Sequence, residues 1–206
     1  MALQPNQYGG ASRRVIWFTK NGIFSDILVN ADGGSIKAHR AVLAACSPVF
    51  MRMFSTDLKE NEQSMVDISD MSLEACQAFI AYIYGCIAGE EFLPHRSELV
   101  SAADKYDIVE LKNMCERSMI DDVDNDNLLE RLQIAHQYGL STLKKVCMWL
   151  LVEFLRIYDI PDDFREFIGK GDPDLVAEVM QSCRGQGYRL RYVGCNSSTK
   201  TGPTQF

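Results

Sequence analysis

The chain has 206 residues, of which 47% are hydrophobic and 24% charged, and its formal net charge is −7. That size allows one sizeable core, or one domain with a smaller appendage, in an ordinary globular protein. The acidic balance argues against a general nucleic-acid binder, and no run of eighteen apolar residues is present that would span a membrane.

The first 23 residues are mixed in character and lack the apolar centre of a secretory leader. Within them the run Val15-Ile16-Trp17-Phe18 reads as a strand, or as an anchor that packs on the domain after it. From Asp26 the pattern sharpens. "DILVN" alternates and is rich in β-formers, "ADGG" is turn chemistry, and "SIKAH" alternates again, which together predict a β-hairpin. "AVLAAC" comes next without a loop and reads as a short buried helix. Ser47 then suits an N-cap and Pro48 the first position of a second helix. "MVDI" is a short alternating segment.

Ser72 is placed to cap a helix whose inner face carries Cys76, Phe79, Ile80 and Ile83, with Gly85 near its end. Pro94 opens another helical stretch with Leu99, Ala102, Ala103 and Tyr106 inward. Ile108, Leu111, Cys115 and Met119 mark the next. "DDVDNDN" (121–127) is an acidic break. Beyond it the pattern is all helical: Leu128, Leu132 and Ala135, ended by Gly139; then Leu143, Val146, Cys147, Leu150 and Phe154, with Tyr158 near the end. A short helix starts at Pro161. Asp172-Pro173 caps a last one faced by Leu175, Val176, Val179 and Met180. From Arg184 the chain turns to Gly, Ser, Thr and Pro with four basic residues and no acidic one, the composition of a disordered tail.

Seven cysteines occur, with no C-x-x-C among them. Most fall on apolar helical faces and read as buried thiols of a reducing compartment, cytosol or nucleus. Only three histidines exist, His39, His95 and His136, and no spacing matches a zinc site. No Cys–His nucleophile has a local signature, and no glycine-rich phosphate loop appears. Acid pairs such as Asp121-Asp122 and Asp162-Asp163 are the charge that a helix N-terminus favours. The residues therefore point to no catalytic centre, no metal and no cofactor, and an enzyme is not the expectation.

The ordered block "FSDILVNADGGSIKAHRAVLAACSPVFMRMF" resembles the opening hairpin and first two helices of a BTB/POZ domain. The resemblance continues through "VDISDMSLEACQAFIAYIYG" and "LVSAADKYDIVELKNMCERSM". It implies an α+β fold over 24–120, in which a short hairpin and a third strand pack on a helical cluster. Residues 124–182 are similar to the BACK-like helical extension, or 3-box, of the speckle-type POZ class and its plant relatives. The layout is then an N-terminal segment (1–23), the BTB domain, the all-α extension and a basic tail (184–206). The MATH domain that precedes the BTB in speckle-type proteins does not fit into 23 residues.

By that resemblance the protein is a homodimer that brings an unknown protein substrate to a cullin-3 ubiquitin ligase, in cytoplasm or nucleus, with no nucleic-acid or membrane partner. The alternative is a BTB dimer that scaffolds transcriptional or signalling partners without ubiquitin transfer. Asp26 and Arg40 match the family's charged pair on the dimer side, and Ala41, Val42 and Ala45 fall in its dimer helix. Met51, Phe54 and Gln77 match the region that contacts the cullin, with Tyr138 of the extension beside it. Many cullin-binding members carry a hydrophobic-x-Glu stretch where this chain reads Cys76-Gln77-Ala78. Weaker binding is the expectation, strengthened by an Ala78→Glu change.

Overall fold

A computed structural model describes residues 22–55, 64–152 and 158–185. The Val15–Phe18 run, the tail beyond residue 185 and Phe154 lie outside the described residues, and Arg184 and Gly185, expected in the disordered tail, continue the last helix. The hairpin forms as the alternation requires: β1 (Ile27–Asp32) and β2 (Gly34–Ala38) pair antiparallel, with Ile27 facing Ala38 and Val29 facing Ile36. Gly33 turns the chain at φ +91°, a conformation that glycine adopts without a Cβ clash. The "MVDI" segment is longer than its pattern suggests. It forms β3 (Met65–Ser72), which pairs parallel with β1 and completes a sheet of order β2-β1-β3.

On the inner face Ile27, Val29, Val66 and Ile68 are buried. On the outer face a polar ladder pins the register: Ser35 donates to Asn30 Oδ1 at 2.8 Å, and Asn30 donates to Asp67 Oδ1 at 2.7 Å.

Two short helices come after the hairpin, α1 (Arg40–Cys46) and α2 (Pro48–Ser55). Ser47 joins them as the cap its position predicts. Its hydroxyl accepts the Phe50 N–H at 3.2 Å and donates to the Tyr106 carbonyl at 2.6 Å. Ser47 is 1% exposed, so one buried hydroxyl replaces a loop. The ring of Phe50 stacks on Tyr106 at 4.4 Å between centroids, and Tyr106 also meets Phe79 at 5.5 Å. This aromatic column is the centre of the core.

The helix α3 (Leu73–Ile83) starts at Ser72, whose hydroxyl accepts the Ala75 N–H. A carboxylate that no local pattern predicts, Glu98, accepts both the Ser72 N–H at 2.7 Å and the Ser72 hydroxyl at 3.0 Å. The turn α4 (Gly89–Phe92) and a single 3-10 turn (Leu93–His95) lead into α5 (Arg96–Lys105), and α6 (Val109–Asp121) packs against it. All the inward residues predicted for α3, α5 and α6 are buried.

The extension is helical, as its periodicity predicts: α7 (Leu128–Gln137), α8 (Ser141–Val152), α9 (Pro161–Lys170) and α10 (Pro173–Gly185). Asp172 accepts the N–H groups of Asp174 and Leu175 at 3.0 Å each, which caps α10. Two faces differ in part from their prediction: in α10 Leu175 and Val179 are buried, whereas Val176 and Met180 are half-buried. In α8 the fully buried stripe is Leu143, Cys147 and Leu151, whereas Val146 and Leu150 are half-buried. Leu150 and Leu151 both suit a helical period, and packing against α7 and α6 selects the second.

Candidate functional site

On α1, Leu43 points inward, Ala41 and Ala45 are exposed one helical turn apart, and Val42 is half-buried beside them. The result is a strip of small uncharged side chains, open to a second surface. Asp26 and Arg40 do meet, through the backbone: Asp26 Oδ1 accepts the Arg40 N–H at 2.9 Å. The α1 N-terminus is thus capped from fourteen residues upstream, while His39, at the N-cap position, makes no side-chain cap bond. Within one chain Asp26 is exposed and Arg40 half-buried. Asp26→Ala removes a cap worth about 1 kcal/mol.

The α2 face divides the two candidates on it. Phe54 is half-buried; it stacks on Phe50 at 5.8 Å, and the Arg40 guanidinium carbon lies 5.3 Å from its ring centre. Met51 is 52% exposed. Phe54→Ala should therefore lower stability by about 1–2 kcal/mol, and Met51→Ala by no more than about 0.5 kcal/mol. Thermal melting of the two variants without any partner checks the difference.

Gln77 is exposed on α3, between buried Cys76 and buried Ala78. It lines a cleft of about 800 Å³ bordered by β2, α3 and the α4 turn. The described lining residues include none from α2 or α7. Ala78 is 2% exposed at the cleft floor. An Ala78→Glu change would bury a carboxylate there and cost stability. Tyr138 is half-buried at the C-cap of α7, and its hydroxyl accepts from Gln137 Nε2 at 3.1 Å.

Two carboxylates tie the extension to the helices before it. Asp122, just past α6, takes both Nη atoms of Arg96 at 2.9 Å each and Nη1 of Arg131 at 2.5 Å. Arg96 also donates to the Ser118 carbonyl, and Arg131 to the Met119 carbonyl. Two guanidiniums thus serve the free carbonyls at the C-terminus of α6, where the helix dipole favours cations; Asp121 and Asp122 close a helix rather than open one, which corrects the expectation of N-terminal charge there. Hydrogen bonding to Arg96 and then to Arg131 holds the Asp122 carboxyl at about 2. Glu116 of α6 reaches the other way. Its Oε1 accepts the N–H groups of Thr142 at 2.7 Å and Leu143 at 3.0 Å, the orphan donors of α8. Sequence spacing shows neither link, because each partner lies on a different element.

The titratable groups are engaged in scaffolding. His39 bridges the Tyr84 hydroxyl and the Ile23 carbonyl, both at 2.9 Å. His95 lies 3.7 Å from Glu98, and His136 lies between Lys144 and Asp172. Burial pushes the thiols of Cys76, Cys115 and Cys147 up to about 12, far from a reactive thiolate. Cys46 is exposed, against the expectation of a buried thiol. Among the described residues no group of three or more His, Cys, Asp or Glu could hold a metal ion, and no helix is long and apolar enough to cross a membrane. What the surface offers is faces and a cleft.

The BTB/POZ domain family model matches residues 17–123. The "BTB/POZ domain-containing protein At1g55760" of Arabidopsis thaliana is 54% identical over 157 residues, covering 76% of this chain and 48% of that protein. "BTB/POZ domain-containing protein At1g21780" of the same plant is 43% identical over 162 residues, covering 79% and 50%. "BTB/POZ and MATH domain-containing protein 4", also of Arabidopsis thaliana, is 32% identical over 176 residues, covering 78% and 37%. This chain is a member of the BTB/POZ domain family, and it has that family's α+β fold. BTB domains are in general interaction modules that dimerise and bind partners, not enzymes, and many members of the family are cullin-3 adaptors. The chain spans about half the length of the first two relatives or less.

Proposed function

We propose that this protein is a homodimeric adaptor of the speckle-type POZ class, which holds cullin-3 on α2 and the extension and so directs ubiquitination of a protein substrate. The observation that carries the reading is Met51: an apolar side chain 52% exposed on a helix whose neighbours Phe50 and Phe54 anchor it to the core. An apolar side chain presented from a well-packed helix on an interaction module is the kind of anchor that concentrates binding energy. The Asp122 and Glu116 links support it further, since they hold the extension in fixed register beside α6. Free buried thiols favour the reducing cytosol or nucleus as its place. The exposed Ala41 and Ala45 support dimerisation through α1.

Titration of the purified chain with the N-terminal domain of cullin-3 tests the reading. Binding is expected, in a particle whose mass by light scattering contains two 23.2 kDa copies of this chain. Met51→Ala should weaken it about tenfold, which is about 1.4 kcal/mol, with melting unchanged. Absence of binding at tens of micromolar by a correctly folded protein removes the adaptor reading, and a BTB scaffold without ubiquitin transfer takes its place.

A further inference from the structure

We propose that the cleft between β2, α3 and α4 takes an extended basic segment of a partner protein, which adds to β2 as a further strand. The proposal does not rest on cullin binding. Three observations carry it.

The first is an open edge. Among the described residues β2 pairs with β1 alone. Leu28 donates its N–H to Ser64 at 2.9 Å, on the β3 side of β1. Ile27, Val29 and Ala31 therefore turn their backbone groups to β2, where they meet Ala38, Ile36 and Gly34. The N–H and C=O groups of Ser35 and Lys37 then point away from β1, and both residues line the cleft. Such an edge is a template for another strand. The second is shape. The cleft holds about 800 Å³, within the range of formed binding sites, about 300–1,000 Å³. Its apolar wall is Ile36 of β2 with Ala78, Ile80 and Ala81 of α3. Ile36 shares the inner face of the sheet with Val29, so alternate residues of an added strand turn toward α3. The third is charge. Glu74, Glu90 and Glu91 line the cleft against Lys37, beside His95. Glu91 accepts the Ala88 N–H at 3.3 Å and so holds its own turn. Glu74 and Glu90 are exposed, and among the described residues neither is in an ion pair. They favour Lys or Arg on the entering strand, on the same face as a small apolar residue that meets Ile36 and Ala81.

The probe is a fluorescein-labelled peptide, Ser-Lys-Thr-Val-Thr-Arg-Ser, which sets Lys, Val and Arg on one face of an extended strand. Titrated with the full chain and followed by anisotropy, it should bind saturably below about 100 μM. Glu74→Lys with Glu90→Lys, both at exposed positions, should weaken binding at least about tenfold while far-UV circular dichroism stays unchanged. That variant should take instead the peptide with Glu in place of its Lys and Arg, which a merely structural effect of the substitutions would not produce. Proline in place of both Thr residues removes ladder donors and should weaken binding at least about fivefold. Amide exchange at Ser35 and Lys37 should slow when the peptide binds. No binding by about 1 mM overturns the proposal. So does binding that the charge reversal leaves unchanged, full tolerance of the two prolines, or unaltered exchange at Ser35 and Lys37. A mass by light scattering that halves in the Glu74→Lys, Glu90→Lys variant also overturns it, because a second copy of this chain then fills the cleft.

Discussion

Replacing Asp122 with Ala lowers stability by about 3 kcal/mol, which for a chain of this size is roughly 9 °C in melting temperature. The carboxylate itself accounts for little of this. Its side chain is 52% exposed, so solvent screening leaves its own pairing at about 1 kcal/mol. The larger part is Arg131, 7% exposed, which keeps a buried charge with only a carbonyl to answer it. The comparison that isolates this is Arg131→Met. On that background Asp122→Ala should cost no more than about 1 kcal/mol, and the coupling between the two changes is the measured quantity. The pH dependence has a definite sign. The folded carboxyl is held at about 2, below an unfolded value of about 3.9. Its stabilisation is present in full above the unfolded value and is lost as pH falls through about 2. The gap between wild type and Asp122→Ala should therefore narrow on acidification through that window. A gap constant from neutral pH down to about pH 2 would contradict the assignment.

Ser47→Ala should cost about 2–3 kcal/mol, more than an ordinary cap. Removing this hydroxyl leaves two buried groups unpaired, the Phe50 N–H and the Tyr106 carbonyl. The effect should reach both ends of that contact. Amide hydrogen exchange should speed up in α2 and in the last turn of α5, while α9 and α10 stay protected. Equal loss of protection across the chain would mean that the hydroxyl holds no local joint. Neither change lies on the exposed part of α2, so the cullin binding proposed for that face is expected to be the same per folded molecule.

The features legible in the sequence are those set by neighbours within a few residues. The hairpin comes from alternation and Gly33, the α1–α2 joint from Ser47-Pro48, and the buried faces of α3, α5 and α6 from a helical period. The length and partner of β3 were not legible, because Leu28 pairs with Met65 across the whole hairpin and two helices. The cap on α1 comes from Asp26, and the partner of Ser72 from Glu98; both are brought in by tertiary folding. The candidate contact residues divide for the same reason. Met51 and Phe54 are three apart and look alike in a helical pattern, and only the positions of Phe50 and Arg40 decide which one is packed. Gln77 lies in a stretch whose role rested on family resemblance alone, and its place on the cleft comes from tertiary folding that no local pattern shows.

The bond from Glu116 to the start of α8 also bears on how the chain is made. A ribosome releases the BTB helices first, and domains tend to fold in that order. By the time Thr142 and Leu143 emerge, the carboxylate that receives their N–H groups already stands on a formed α6. Helix nucleation is the unfavourable step, and here the earlier part of the chain supplies a template for it. An extension synthesised alone, or permuted to come first, would have to begin α8 without that acceptor and should refold more slowly than the same helices joined in their native order.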